Sequence, residues 1–433
     1  MKNKKVVFPA LATLMLVSPL ISAADNFLAT QKVPKKLSFS TSFKTRTESL
    51  RDFDFNSSDQ DFTLSQIRLG MTYRPSSRTE VFVQLQDARI FGEELNSTPG
   101  INKRATPNIF QDELDVHEAY VKQDFDRFSV KVGRQKFNLG DQRLVASLEW
   151  VNTARVKDGV RFNFNAGDQR NVDVFFSALV PVNPTQLNNQ ASVGNRYFDS
   201  NLHGIYVTDK NTVPGQIDYW YFHRQNQKLN DATDTYGGRY LGQYKDLAYE
   251  LQASIQNGEF GGQDHSASMV HVGASYPLGA GKAGVAYNFG SGDSDPNDSE
   301  HNTFDNLFPL NHAYYGFMDL FSLQNIHNFE ATYSEKVLGK YSLRAALQGF
   351  WIAEEDTDSW YNAGLRPVRT ANVNANSYAG SEIDLTLSTQ LFGDRLQLLM
   401  GYSHFFAGNY LEDTGTSNDA SWYFLQLNFK PKL

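Results

Sequence analysis

The sequence predicts an all-β fold, a transmembrane antiparallel β-barrel of about eighteen strands. Apolar and polar residues alternate with a period of two in run after run, which is typical of strands with one apolar face. The connections between these runs are alternately tight and long. After residue 25, no stretch offers the ~20 consecutive apolar residues that a membrane-spanning helix needs. Because the apolar face of a barrel is hidden by alternation, a low mean hydropathy does not argue against a membrane location.

The first 24 residues have the pattern of a secretory signal peptide. The basic start MKNKK precedes an apolar run over 6–21 and the small residues SAA at 22–24. We expect cleavage after Ala23 or Ala24, with 25–433 forming a single barrel domain in the outer membrane of a Gram-negative cell. The alternative is a retained helical anchor, for which the apolar run is at the short end.

The alternating runs give the strands in order, and those near 202, 217 and 236 alternate least regularly. A span of ~9–11 residues suits a tilted strand that crosses a bilayer. The predicted strands lie near 37–47, 62–73, 79–88, 114–123, 127–137, 156–164, 171–179, 202–208, 217–224, 236–244, 247–256, 268–276, 283–290, 326–334, 341–351, 381–388, 394–405 and 421–429.

The connections predict which end of the barrel faces the periplasm. Tight connections rich in Gly, Pro, Asn and Asp are expected there as turns, at 74–78, 124–126, 165–170, 245–246, 277–282 and 338–340. Long connections are expected outside the cell, at 48–61, 89–112, 138–155, 180–201, 225–235, 290–325, 352–380 and 406–420. The alternative is a secreted β-sandwich or propeller, but no second packed layer or blade-length repeat is visible.

In a barrel with an apolar outer face, the polar parity lines the lumen. Charges on that parity are nearly balanced, and a barrel this wide cannot be filled by wall side chains, so the set indicates an aqueous conduit. The alternative for any single residue is that it neutralises a neighbour. The basic residues are Lys44, Arg46, Arg68, Lys122, Lys131, Arg161, Arg224, Arg344 and Arg395, and the acidic ones are Glu80, Glu118, Asp173, Asp218, Glu250, Glu330, Glu382 and Asp384.

The residue types for catalysis or metal binding are poorly placed. There is no Cys, the nine His are scattered, and no G-x-S-x-G, H-E-x-x-H or phosphate loop occurs. Asp293-x-Asp295-x-Asn297 begins like a calcium loop, but Asp298 stands where Gly is required and Phe304 where a bidentate Glu is required. A net charge of −8 argues against nucleic acid as a partner. We therefore expect no enzyme, no cofactor and no metal.

One segment is too irregular for a hairpin loop. It is GRQKFNLGDQRLVASLEWVNTARVKDGVRF, residues 133–162, which combines Gly, Asp, Arg and Trp between two strands. This segment resembles the alginate export family of outer-membrane proteins. So do GSGDSDPNDSEHNTFDNLFPLNHAYYGFMDLFSLQNIHN (290–328), GSEIDLTLS (380–388) and SHFFAGNYLEDTGTSNDASWYFLQL (403–427).

The resemblance implies a monomeric barrel whose lumen is narrowed by inward loops and lined with arginines for uronate carboxylates. In this sequence, two features depart from the family pattern: residues 389–394 form only a short turn, and the lumen charges are balanced. The predicted pore-lining and constriction residues are Arg143, Arg155, Arg161, Asp141, Asp158, Arg46, Arg68, Lys131, Arg344, Glu118, Glu382 and Asp384. Trp150 is predicted to be a packing residue.

We expect a passive channel of the alginate-export type that passes a hydrophilic solute or an anionic polysaccharide. The alternatives are an uptake porin for small acids or sugars and a closed structural or adhesive barrel. The expected partners are outer-membrane lipid and lipopolysaccharide, the transported solute and periplasmic export proteins.

Overall fold

The computed structural model describes residues 36–92, 110–165, 167, 169–180, 200–227 and 229–431. The predicted signal peptide and much of two predicted outer loops, 93–109 and 181–199, lie outside these residues. The strands are β1 (Leu37–Arg51), β2 (Asp59–Ser76), β3 (Thr79–Phe91), β4 (Asp112–Asp124), β5 (Phe128–Gln135), β6 (Lys157–Asn165), β7 (Arg170–Leu179), β8 (Asn201–Asp209), β9 (Gln216–Asn226), β10 (Asp231–Tyr244), β11 (Leu247–Phe260), β12 (Gln263–Leu278), β13 (Gly281–Gly290), β14 (Glu300–His301), β15 (Ile326–Val337), β16 (Tyr341–Ile352), β17 (Trp360–Tyr361), β18 (Pro367–Arg369), β19 (Tyr378–Leu391), β20 (Leu396–Ala407) and β21 (Ala420–Phe429).

Eighteen of these strands form one closed antiparallel barrel, and only β14, β17 and β18 are short strands within loops. Each wall strand pairs with its neighbours along the chain, and β1 pairs with β21 to close the ring. Every backbone ladder is therefore completed within the protein, as a membrane-spanning sheet requires. Each predicted strand overlaps one wall strand, so the predicted fold is confirmed.

One predicted loop is wrong. β9 and β10 extend until only residues 227–230 separate them, so the region 225–235 is largely strand. The polar residues that suggested a loop are Asp231, Thr233 and Thr235, which are buried on the inner face. They face the loop 291–325, which lies inside the lumen. A strand that faces such a loop carries polar residues, and its sequence therefore looks like that of a solvated connection.

The outer face of the barrel is apolar, with many large side chains exposed. Ile67, Leu69 and Met71 share one parity of β2 and are about half exposed, while the intervening Arg68 is buried on the inner side. Further outward residues of this kind are Leu251, Ile255, Val285, Phe329, Leu347 and Leu385. No helix in the described ranges is long and apolar enough to cross a membrane.

The connections differ between the two ends. At the short-turn end the strands are joined tightly, as at 392–395, where Phe392, Gly393 and Asp394 have positive φ values of 54°, 64° and 67°. At the long-loop end lie 136–156, 291–325, 353–377 and 408–419, the last of which carries α1 (Asn409–Thr414). The short turn predicted near 389–394 is confirmed.

Two of the long loops, 136–156 and 291–325, fold into the barrel and pair with each other; we call them the inner loops. Val145 and Phe308 form a parallel bridge, with Phe308 N donating to Leu144 O at 2.9 Å and Ala146 N donating to Phe308 O at 2.8 Å. Both bridge residues are fully buried. The largest hydrophobic cluster thus lies in the lumen, where loop and wall side chains meet.

Candidate functional site

The basic residues of β1 and β2 hold the first inner loop. Lys44 and Arg46 donate to the backbone carbonyls of Glu149 and Trp150 at 3.2 and 2.8 Å. Arg68 Nη1 lies 2.7 Å from a Glu149 carboxylate oxygen. The predicted inward direction of Arg46 and Arg68 agrees with the structure, but both are buried under the loop.

Glu149 is the charged centre of this attachment. Its carboxylate also lies 2.8 Å from Lys136 Nζ, and the same ammonium is 3.8 Å from Glu118. The Glu149 side chain is 42% exposed to the lumen, and its partial desolvation would raise its pKa, but the Arg68 and Lys136 cations lower the pKa below the usual range for a carboxyl. Glu149 therefore stays ionised and keeps the loop on the wall.

Arg143 and Asp141, both in the first inner loop, form an ion pair where this loop contacts the second one. Arg143 is 2% exposed, lies 3.1 Å from Asp141 and donates to Asn288 Oδ1 and the Tyr315 hydroxyl at 3.0 and 2.9 Å. Its guanidinium also stacks on the Tyr314 ring at 3.9 Å. Burial opposes the charge, but Tyr315 and Asp141 raise the pKa of Arg143. The structure thus places Arg143 in the packed contact between the two inner loops and the wall.

The inner faces of β5 and β6 carry a row of cations, which we call the cation column: Lys131, Arg161 and Lys157. Lys131 lies over the Tyr120 ring at 4.2 Å. Arg161 makes a bidentate pair with Asp173 at 2.8 and 2.9 Å and stays partly exposed. Arg155, at the end of the first inner loop, lies two residues before Lys157 and continues the row beyond the column.

The prediction that Asp158 lines the lumen is wrong. Asp158 has the parity of Val160 and Phe162, which belong to the outer face, and it pairs with Arg134 at 2.9 Å across β5 and β6. An inward direction for Asp158 would require a shift of one residue, which turns every side chain of a strand to the other face. The inward residues of β6 are Lys157 and Arg161.

On the opposite wall, Glu382 anchors the second inner loop, and its neighbours pair within the wall. Glu382 is fully buried and accepts a hydrogen bond from the backbone N–H of Met318 at 2.9 Å. Asp384, on the same face of β19, accepts from Ser403. Arg344 pairs with Glu330 at 2.7 Å and remains about one-third exposed.

A stack of rings and cations crosses the lumen. Arg46 lies over Trp150 at 4.0 Å, Trp150 stacks on His312 at 3.8 Å, and His312 stacks on Phe317 at 4.6 Å. Arg344 completes the row at 5.4 Å from the Phe317 centroid. Trp150 is thus a packing residue, as predicted. Its partners on the second inner loop were not predicted, because the spacing of His312 and Phe317 along the chain has no recognisable pattern.

Part of the acidic second inner loop is buried. Asp305 is fully buried, 2.5 Å from the Arg224 guanidinium of β9, and its backbone N–H donates to Gln256. Burial would raise the pKa of Asp305, and Arg224 lowers it. In the same loop Asp293 N donates to Asp358 of the neighbouring loop at 3.1 Å. Within the described ranges, no group of three or more His, Asp or Glu residues could hold a metal ion.

Exposed charge is segregated between the two ends of the barrel. Among the described residues, the short-turn end has twelve exposed bases and three exposed acids. The long-loop end has twelve exposed acids and one exposed base, Arg366, without counting the exposed Glu149, which lies against the lumen wall. The bases are Lys36, Arg74, Arg78, Arg127, Arg170, Lys210, Lys245, Lys282, Lys336, Lys340, Arg395 and Lys430. The acids of the long-loop end are Asp59, Asp61, Glu113, Glu259, Asp264, Asp295, Asp298, Glu300, Asp356, Glu412, Asp413 and Asp419.

The barrel is similar to solved outer-membrane proteins. OpdK of Pseudomonas aeruginosa has a TM-score of 0.61 at 12% identity, over 91% of this chain and 98% of that one. OccAB4 of Acinetobacter baumannii has a TM-score of 0.60 at 12% identity, over 92% and 99%. OccK3 of Pseudomonas aeruginosa has a TM-score of 0.60 at 13% identity, over 91% and 96%. At these identities the likeness concerns the fold.

Sequence comparison gives the family. No curated protein matches the chain. A family model described as alginate export matches residues 35–423, which is nearly the whole of the barrel. The chain therefore belongs to the alginate export family of outer-membrane β-barrel channels.

Proposed function

We propose that this channel passively passes a hydrophilic, anionic solute of the polysaccharide class through a lumen narrowed by the two inner loops. The observation that carries the proposal is the cation column, because Lys131 and Arg161 remain partly exposed on the lumen wall below the loops. Arg161 uses Nε and Nη2 for Asp173, so its Nη1 and the Lys131 ammonium over the Tyr120 ring are the groups available to a passing uronate carboxylate.

The remaining predicted site residues divide into two roles under this proposal. Glu118, beside the cation column, and Arg344 and Asp384, on the opposite side of the barrel, belong to the lumen wall. Arg46, Arg68, Arg143, Asp141 and Glu382 fix the inner loops in the lumen. Because buried ion pairs fix the inner loops, the width of the lumen stays constant, and this constant width would select solutes by size. We further propose removal of the signal peptide, contact with lipopolysaccharide and a periplasmic partner that delivers the solute.

The test is single-channel recording from the purified protein in planar bilayers. We expect an ion current that uronate oligomers reduce and neutral oligosaccharides of equal length leave unchanged. Lys131→Glu should move the reversal potential towards cation selectivity, because it replaces a positive charge on the lumen face of β5 by a negative one. Arg366→Glu, in an exposed outer loop, should move it much less.

Two other outcomes would favour the alternatives. A current that is reduced by small acids or monosaccharides but not by oligomers indicates an uptake porin. The absence of current in all conditions, with a folded barrel, indicates a closed structural barrel and contradicts the proposal.

A further inference from the structure

Two cations inside the constriction have no acidic partner. Lys157 is 1% exposed, and Arg155 donates only to the backbone carbonyls of Ala146 and Pro309, at 3.3 and 3.4 Å. Among the residues that the structure describes, no Asp or Glu oxygen lies within 4.0 Å of either charged group. A buried charge without a counter-charge is costly, and such groups are normally paired.

Several other cations of the lumen follow that rule. Arg143 pairs with Asp141, Arg224 with Asp305, and Arg68 with Glu149. Burial lowers the pKa of the Arg155 guanidinium to about 10, and no carboxylate opposes that effect. Lys44 and Lys131 also lie more than 4.0 Å from any acid of the described residues, but Arg155 and Lys157 are neighbours that share one aromatic ring.

The group that covers these cations is an aromatic ring of the second inner loop. The Phe308 centroid lies 4.3 Å from Lys157 Nζ and 5.6 Å from Arg155 Cζ, and Phe308 is fully buried. A ring face attracts a cation, but less strongly than a carboxylate does. Phe308 is also the residue whose backbone bridges the two inner loops.

A carboxylate that reached these cations would therefore compete with Phe308 for the same positions. The cation column leads to them, since Lys131 and Arg161 lie on the same inner face of β5 and β6 as Lys157. An arriving carboxylate can pair with the Arg155 fork and neutralise Lys157, which removes the attraction that holds the ring.

We propose that Arg155 and Lys157 form a carboxylate site whose occupation displaces Phe308 and loosens the second inner loop, which widens the lumen. The ligand class is an organic carboxylate, either a free sugar acid or the uronate unit of a polymer. The proposal rests on the channel function proposed above and adds that an anionic solute opens the constriction that it passes.

The first test is hydrogen exchange on the purified full chain, with sodium glucuronate as the carboxylate and glucose as the neutral match. We expect glucuronate to speed exchange in the segment around Phe308, because its backbone bridge to 144–146 loosens, and glucose to have no effect. The double variant Arg155→Gln/Lys157→Gln should need roughly tenfold more glucuronate, since charge-assisted hydrogen bonds are lost. Arg366→Gln is the matched control and should respond like the parent protein.

The second test is the fraction of time that single channels spend in the wide state. Glucuronate should raise it in the parent protein, and Phe308→Ala should be wide without any carboxylate. A uronate oligomer that acts at a lower concentration than glucuronate would identify the polymer as the source of the carboxylate, and the reverse order would identify the free acid.

Both proposals can fail separately. If channels conduct but glucuronate changes neither the exchange nor the wide-state fraction, the carboxylate site is refuted and the channel function stands. If glucuronate speeds the exchange but no variant conducts, the channel function fails. Heat-modifiable migration on gels establishes that each variant is folded before either measurement.

Discussion

Arg143 shows how a single charge can hold two loops together. Its guanidinium contacts Asp141 in its own loop, Asn288 on the wall and Tyr315 in the second inner loop. All these partners are buried or nearly so. Removing the charge takes one donor from each of these partners, and a buried polar group that loses a partner costs more than the bond itself contributes.

Arg143→Gln should therefore lower the free energy of unfolding by about 2 kcal/mol, less than a fully buried ion pair would suggest, because Arg239 still lies 4.0 Å from Asp141. Denaturant titration in detergent micelles measures the change. Arg366→Gln, at an exposed position, is the control. Equal stability of the two variants would show that Arg143 is not part of a packed core.

At the scale of elements, the contact between the loops 291–325 and 353–377 should depend on pH. Burial raises the pKa values of Asp293, Asp358 and Glu354. A carboxyl with a raised pKa in the folded state binds protons more strongly there than in the unfolded chain. The contact is thus strongest below the usual carboxyl pKa of about 4 and weakens as pH rises through the raised values.

We expect proteolysis of these loops to be slower at pH 5 than at pH 8, after correction for the activity of the protease on an unstructured peptide. Asp293→Asn removes one of the three titrating groups, so the difference between the two pH values should shrink. A rate ratio unaffected by this substitution, or faster cleavage at pH 5, would contradict the assignment.

At the scale of the whole molecule, the segregation of exposed charge predicts asymmetric conduction. The basic short-turn end attracts polyanions and the acidic long-loop end repels them, over a range of about 10 Å at 0.1 M salt. Poly-L-glutamate added from the periplasmic side should reduce the current at lower concentration than from the outer side, and high salt should remove the difference.

The triple variant Lys282→Gln/Lys336→Gln/Lys430→Gln should weaken this asymmetry, because these three exposed residues have the inward parity at the short-turn end. Arg366→Gln should not. Equal reduction of the current from both sides in the parent protein would rule out an electrostatic preference between the two ends.

The wall of the barrel was predictable and the filling of its lumen was not. Alternation is a local property, so the runs around Ile67 or Leu425 predict strands without knowledge of their neighbours. The contacts of Trp150 with His312 and of Arg224 with Asp305 join residues far apart in the chain. Buried polar residues at such contacts have the same composition as a solvated loop, so the sequence alone cannot separate the two.

Trp150 has one further consequence, for assembly. It contacts Arg46 of β1 and Phe424 of β21. The Trp422 indole of β21 also donates to Glu48 of β1 at 3.1 Å, so the binding position of Trp150 spans the pairing of the first and last strands. That binding position exists only after β1 has paired with β21. Trp150 can therefore dock only when β1 and β21 have paired, so the first inner loop settles in the lumen no earlier than the ring closes.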